Sequence, residues 1–150
     1  LDDNSLIHNL DHINETLIKL RCRYNNNNID QKCIEKLNKL EFLDVTGNNN
    51  INNVNHLKNT LTILYCGLTS GIREDGICEL KKLIGLDINH NVNVNIKKIN
   101  NFFDSLLYLN CSGTKFRQKG IAKIRNLKKL IIKNNKKINY EKLIENRNTI

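Results

Sequence analysis

The sequence contains no proline, no methionine and no tryptophan, and aromatic residues make up only 5% of its 150 positions. Aromatic anchors are therefore scarce, and any that face solvent are worth locating. The lack of methionine means that position 1 is not a native initiator. No apolar run approaches the ~18 residues of a membrane span or has the layout of a signal peptide, which argues against a membrane partner. The five cysteines are an odd number without the close, regular spacing of a small secreted scaffold. They favour free thiols, a reducing compartment and hence an intracellular, cytoplasmic protein. Also missing are a Gly-rich phosphate loop, a nucleophile elbow, a Cys-x-x-Cys pair and any paired carboxylates with a plausible base, so no enzyme, cofactor or metal site is expected.

Asparagine, isoleucine and lysine dominate instead. Their codons are A/T-rich, and the composition fits an A/T-rich genome such as that of some protists or large DNA viruses. With 39% apolar and 26% charged residues, the chain has the size and make-up of one globular domain.

A single frame recurs along it: L17-IK-L20-R-C22-RY-N25, L40-EF-L43-D-V45-TG-N48, L61-TI-L64-Y-C66-GL-T69, L83-IG-L86-D-I88-NH-N91, L106-LY-L109-N-C111-SG-T114 and L127-KK-L130-I-I132-KN-N135. The first leucines, at 17, 40, 61, 83, 106 and 127, step by 21 to 23 residues, a solenoid period. The pattern resembles the leucine-rich repeat family, L-x-x-L-x-L-x-x-N-x-L, matched at its first four anchors with Cys, Val or Ile at the third. The fifth anchor falls one residue late at Ile51, Ile72, Val94 and Ile138, on time at Phe116 and two late at Ile29. The resemblance implies an α/β solenoid, a curved arc with short parallel strands on its concave side and short α or 3-10 helices on its convex side. It also implies a protein-binding scaffold.

In this frame Asn25, Asn48, Asn91 and Asn135 occupy the bend after each strand, where an amide satisfies backbone groups of its own and the adjacent coil. Thr69 and Thr114 stand in the same place with a hydroxyl, so those two turns are expected to be closed differently. Apolar stripes at Ile34, Leu37 and Leu40, at Ile77, Leu80 and Leu83, and at Ile121, Ile124 and Leu127 predict the convex helices. The frame reaches both ends: Leu1 to Asn4 with Ile7 reads as the tail of an earlier repeat, and Asn148-Thr149-Ile150 as the start of another. One domain over residues 1–150, cut from a longer array and able to associate end to end, is the expectation.

The third anchors place Cys22, Cys66 and Cys111 inside the coils, two strands apart and roughly 10 Å from one another, beyond disulfide reach. Cys33 and Cys78 belong to the convex helices. His8 and His12 are spaced as two ligands on a helix face but lack a third, and His56 and His90 stand alone.

Strand residues between the inward anchors face the concave side. One column reads Arg21, Asp44, Tyr65, Asp87, Asn110, Ile131, and the other Lys19, Phe42, Ile63, Gly85, Tyr108, Lys129. Phe42, Ile63, Tyr65 and Tyr108 form an apolar and aromatic strip, with Asp44 and Asp87 on either side of Tyr65 and Asn110 beyond. The expected function is recognition of a protein partner, with a basic segment lying beside Tyr65.

Charge gives an alternative. Residues 115–150 hold twelve basic and two acidic residues, against twelve basic and thirteen acidic before them. Lys115, Arg117, Lys119, Lys123, Arg125, Lys128, Lys129, Lys133, Lys136 and Lys137 form a basic end fit for nucleic acid or another acidic partner. No aromatic strip accompanies them to stack bases, and a solvated lysine-rich face or a purely structural array stays open.

Overall fold

The computed structural model describes residues 9–24, 28–94, 102, 104–135 and 138–139. Six three-residue strands, β1 (Lys19–Arg21), β2 (Phe42–Asp44), β3 (Ile63–Tyr65), β4 (Gly85–Asp87), β5 (Tyr108–Asn110) and β6 (Lys129–Ile131), form one parallel sheet in chain order. Leu20, Leu43, Leu64, Leu86, Leu109 and Leu130 lie side by side across it. Parallel pairing of consecutive strands forces each connection to cross over, and the helical elements described in these crossovers are a short α-helix or a single 3-10 turn. In chain order the helical elements are a 3-10 turn at Asp11–Ile13, helix α1 (Gln31–Glu35), 3-10 turns at Asn55–Leu57 and Glu74–Gly76, and helix α2 (Gln118–Ile121). The chain is a leucine-rich repeat solenoid.

The inner coils bury the anchors that the frame assigns, while Leu17 in the first coil and Leu130, Ile132 and Ile138 in the last are partly buried. Leu43, Val45, Leu64, Cys66, Leu86, Ile88, Leu109 and Cys111 are sealed from solvent, as are the convex residues Ile34, Leu37, Ile77, Leu80 and Ile121. Phe102, which the frame does not assign, joins them. A helix this short is held by packing and not by propensity. The Asp30 carboxylate caps α1 by accepting the Cys33 N–H at 3.1 Å, a bond that holds its pKa below the usual aspartate value. Gln31 then ties α1 to the following coil: its Oε1 accepts the N–H groups of Asn52 and Asn53 at 3.0 and 3.1 Å, and its Nε2 donates to the Asn53 carbonyl at 2.9 Å. Gln118, at the start of α2, accepts the Asn139 N–H in the same way.

The bend after each strand has one backbone rule. Tyr24, Gly47, Leu68, His90, Gly113 and Asn134 all adopt positive φ, between 53° and 71°, at the same offset from their first leucine. Glycines 47 and 113 have a second reason to be glycine. A Cβ on Gly47 would overlap the Tyr24 ring of the coil before it, and one on Gly113 would overlap the His90 ring.

The asparagine ladder follows immediately. Asn48 Nδ2 donates to the carbonyls of Cys22 and Ile29 in the preceding coil at 3.5 and 3.1 Å, while its Oδ1 accepts the Asn50 N–H at 3.0 Å. Asn91 repeats the set on Cys66, Ile72 and Asn93 at 2.8, 3.1 and 3.0 Å. Asn135 is buried at the same place, and Asn25 lies outside the described residues, as do both end segments of the frame.

The hydroxyl turns differ, in one case against expectation. Thr69 is exposed, and the residue after it, Ser70, is buried in the ladder position. The left-handed residue stays at Leu68, so one extra residue is accommodated between it and the ladder. Ser70 N donates to the Gly67 carbonyl at 3.3 Å, where Asn48 and Asn91 use Val45 and Ile88. Thr114 keeps its place but turns inward on its own coil, donating from Oγ1 to Cys111 O at 2.7 Å and accepting the Phe116 N–H at 3.4 Å. A hydroxyl has one proton to give, so it closes its own turn and does not span two carbonyls of its neighbour.

Candidate binding surface

The sheet register sets both concave columns side by side: Lys19, Phe42, Ile63, Gly85, Tyr108 and Lys129 in one, Arg21, Asp44, Tyr65, Asp87, Asn110 and Ile131 in the other. Phe42, Ile63, Tyr65 and Tyr108 are all half-buried. The Phe42 and Tyr65 rings meet edge to face at 5.5 Å and 72°. Lys129 Nζ stands 5.6 Å from the centroid of Tyr108. Lys19, Arg21, Glu41, Phe42, Thr62 and Ile63 line an open depression of about 620 Å³ where β1 to β3 begin.

The two aspartates of the column are in different states. Asp44, expected at an open acidic flank, is 1% exposed. Its Oδ2 lies 3.5 Å from the Nε of both Arg21 and Arg23, and its Oδ1 accepts the Thr46 N–H at 3.1 Å. The chain's own cations neutralise it. Arg23, which the column reading passed over, also stacks on Tyr24 at 5.8 Å. The register that pairs Arg21 with Asp44 was the available signal.

Asp87 is half-buried and bound by amides. Its Oδ1 accepts the N–H and Nδ2 of Asn89 at 3.0 and 2.6 Å, and its Oδ2 accepts Asn110 Nδ2 at 2.9 Å. Among the described residues no cation lies within ion-pair distance of it. These amides orient the carboxylate and leave its charge in place. Burial, and then the neighbouring Asp87, push the Tyr108 phenol above its ordinary pKa, so the hydroxyl stays protonated. Asn110 in turn accepts from Ser112, from its N–H at 3.2 Å and its Oγ at 2.8 Å. Asp44, Asp87 and Asn110 thus share one local duty, accepting the N–H two residues on and fixing the turn after the strand.

Of the basic residues at the C-terminal side, Lys115, Arg117, Lys119, Lys123, Arg125, Lys128, Lys129 and Lys133 are exposed. They are distributed around the coil: Lys119 rides on α2, Lys129 on the concave strand β6, and Lys115 and Lys133 on the bends. Lys136 and Lys137 lie outside the described residues.

All five cysteines are free. Burial pushes the Cys111 thiol up to about 12 and the Cys66 thiol higher still, which makes both inert core atoms. His12 is exposed in its 3-10 turn and His8 lies outside the described residues. His56 Nε2 is 3.0 Å from the Ile34 carbonyl, and the His90 ring covers Gly113. Among the described residues no group of His, Cys, Asp and Glu could hold a metal ion, and no helix is long and apolar enough to cross a membrane.

No protein-family model matches the sequence, and no curated protein matches it significantly. Among solved structures, an internalin from Listeria monocytogenes superposes with a TM-score of 0.57 at 17% identity, over 79% of this chain and 42% of its own length. This chain therefore spans about two fifths of that protein. The likeness is one of fold and agrees with the leucine-rich repeat solenoid described above.

Proposed function

We propose that this chain is a non-enzymatic protein-recognition module whose concave sheet takes an extended, basic segment of a partner protein. The observation that carries this reading is the conjunction of a half-exposed aromatic strip with Asp87, a carboxylate held in place by amides and without a cation at ion-pair distance among the described residues. In a sequence with so few aromatic residues, three of them stand on this one face. Tyr and Phe anchors match the composition of interface centres, and a carboxylate beside them fits the polar rim that surrounds such a centre.

The test is selection of a random short-peptide library on the immobilised chain and on a Tyr65→Ala/Asp87→Lys double variant. Enrichment of Lys- or Arg-containing peptides on the first and not on the second supports the reading. Peptides that bind both equally would place recognition elsewhere.

A second reading is favoured by one observation: eight exposed Lys and Arg side chains between Lys115 and Lys133, with no acidic residue in that interval. It predicts a polyanion partner held by counterion release. Binding of a mixed-sequence duplex would then weaken steeply between 50 and 200 mM salt, by roughly 10³-fold or more for six or more contacts. Retention that ignores both Tyr65→Ala and salt excludes either reading.

A further inference from the structure

The depression of about 620 Å³ on the first strands has a sorted lining. Phe42 and Ile63 are register neighbours and both half-buried, and the edge contact with Tyr65 steadies the Phe42 ring, so the floor is apolar and preformed. Thr62 adds no donor to it, because its hydroxyl proton is spent on the Glu41 carbonyl at 3.0 Å. Past Ile63 the same column holds Gly85, buried and without a side chain. A Cβ there would meet Ile63 and Tyr108 only at ordinary contact, 3.6 and 3.9 Å, whereas on Gly67, Gly71 or Gly76 it would run into an adjacent coil. The apolar floor therefore ends at Ile63.

The charges of the lining are divided between two strands. Lys19 and Arg21 stand two residues apart on β1, about 6.6 Å along it, while Glu41 comes one residue ahead of β2. Arg21 already serves Asp44, with its Nε 3.5 Å from Oδ2. Lys19 is exposed, and among the described residues no carboxylate lies within ion-pair distance of it. An apolar floor beside such a cation is complementary to an apolar group with an acid next to it. Repulsion from Glu41 sets that acid toward β1.

Spacing then orders the occupant. An extended chain laid across the strands turns every second side chain to the sheet, about 6.8 Å apart, and neighbouring strands stand about 4.8 Å apart. From a side chain over β1, the next lies about 6.8 Å along, between β2 at about 4.8 Å and β3 at about 9.6 Å. The one after it lies about 13.6 Å along, close to β4 at about 14.4 Å. The first stands at Lys19, the second over Phe42 and Ile63, and the third on β4, the strand that carries Asp87.

We propose that the partner segment carries the pattern acid-x-apolar-x-base, read in either chain direction, with its Asp or Glu side chain on Lys19 and its apolar side chain in the depression on Phe42 and Ile63. The inference rests on concave-face recognition and deepens it, since it fixes what accompanies the basic residue of the segment and at what distance.

The test takes peptides that the random library enriches on the full chain and that need Tyr65. Each is resynthesised with its acid as Gln or Lys, or with its apolar residue as Ala. Affinities are measured at low salt, where exposed charges are least screened, for the wild type, Lys19→Glu and Ile63→Ala, with circular dichroism confirming that each variant is folded. The enriched peptides should share the acid and the apolar residue two positions apart. Gln for the acid should lower affinity about two- to fivefold, the range of one exposed ion pair, and Ala for the apolar residue roughly tenfold. Lys19→Glu should weaken the acidic peptide and restore binding of its Lys form, an exchange that a merely structural role for Lys19 does not produce. Ile63→Ala should shrink the advantage of the apolar peptide over its Ala form.

Tyr65-dependent peptides that share no acid at this spacing would overturn the inference and leave concave recognition standing. So would a Lys19→Glu variant that ranks the acidic and Lys forms as the wild type does. Failure to enrich any Tyr65-dependent peptide would overturn the recognition reading itself, and this inference with it.

Discussion

The asparagine edge and the concave face are both polar, and they treat polarity in opposite ways. Along the edge, Asn48 and Asn91 are wholly buried, and the side chain of each donates to two carbonyls of the preceding coil and accepts the N–H two residues on. On the face, Tyr65, Asp87 and Tyr108 are half-exposed, and their contacts hold them in place without consuming them. The edge is polar because a bend leaves backbone carbonyls that water cannot reach. The face needs its polar groups only for the turn that follows each strand, and at Asp87 that duty leaves the negative charge uncompensated by a cation among the described residues, whereas Asp44 shows the intermediate case, a face residue closed off by Arg21 and Arg23.

That contrast can be broken most forcefully at the ladder. Asn91→Ala strands two buried carbonyls and one N–H, and at about 1 kcal/mol or more for each group it should lower stability by about 3 kcal/mol. Ser70→Ala, which spans no neighbouring coil, should lose about 1 kcal/mol. Urea denaturation of the two variants ranks them, and equal losses would mean that the bonds to the preceding coil carry no weight.

The two kinds of glycine come next. Gly47→Ala forces a Cβ into a left-handed bend and against the Tyr24 ring, with an expected loss of about 1–2 kcal/mol. Gly85→Ala should be neutral or stabilising by up to about 1 kcal/mol. Thermal melts read both. A destabilised Gly85→Ala would show that the fold needs this glycine as it needs Gly47.

A face residue should show the opposite balance. Tyr65→Ala forfeits its edge contact with Phe42, about 1 kcal/mol, while removing peptide binding altogether. The smallest effect is at His56, whose ring lies against the Ile34 carbonyl. Burial holds its pKa below the ordinary 6.5, only partly offset by that hydrogen bond. The unfolded chain therefore binds the proton more readily, so this contribution is whole above pH 6.5 and declines as the pH falls below it toward the folded value. Melts at pH 7 and pH 5 should differ slightly less in His56→Gln than in the wild type.

Much of the architecture could be read before any coordinates. The leucine frame located all six strands, because burying one side of each coil requires apolar residues at fixed positions. The ladder at Asn48 and Asn91 followed from the same spacing. Thr69 was misplaced because spacing alone cannot tell which of two adjacent hydroxyl residues, Thr69 or Ser70, turns inward. The left-handed column was concealed behind Tyr24, Leu68 and His90, residue types that carry no signal for positive φ. On the concave face the aromatic strip was legible, and the closure of Asp44 was not, since it depends on Arg23 reaching across from another coil.

The sequence by itself determined a repeating coil, its inward anchors and the facing of each strand residue, because these follow from local periodicity and the need to bury apolar area. Tertiary structure alone decided which polar groups are used up and which are left. Asp44 and Asp87 occupy equivalent places in their repeats, and only the stacking of neighbouring coils, arginines against the first and amides against the second, makes one a closed ion pair and the other an open charge.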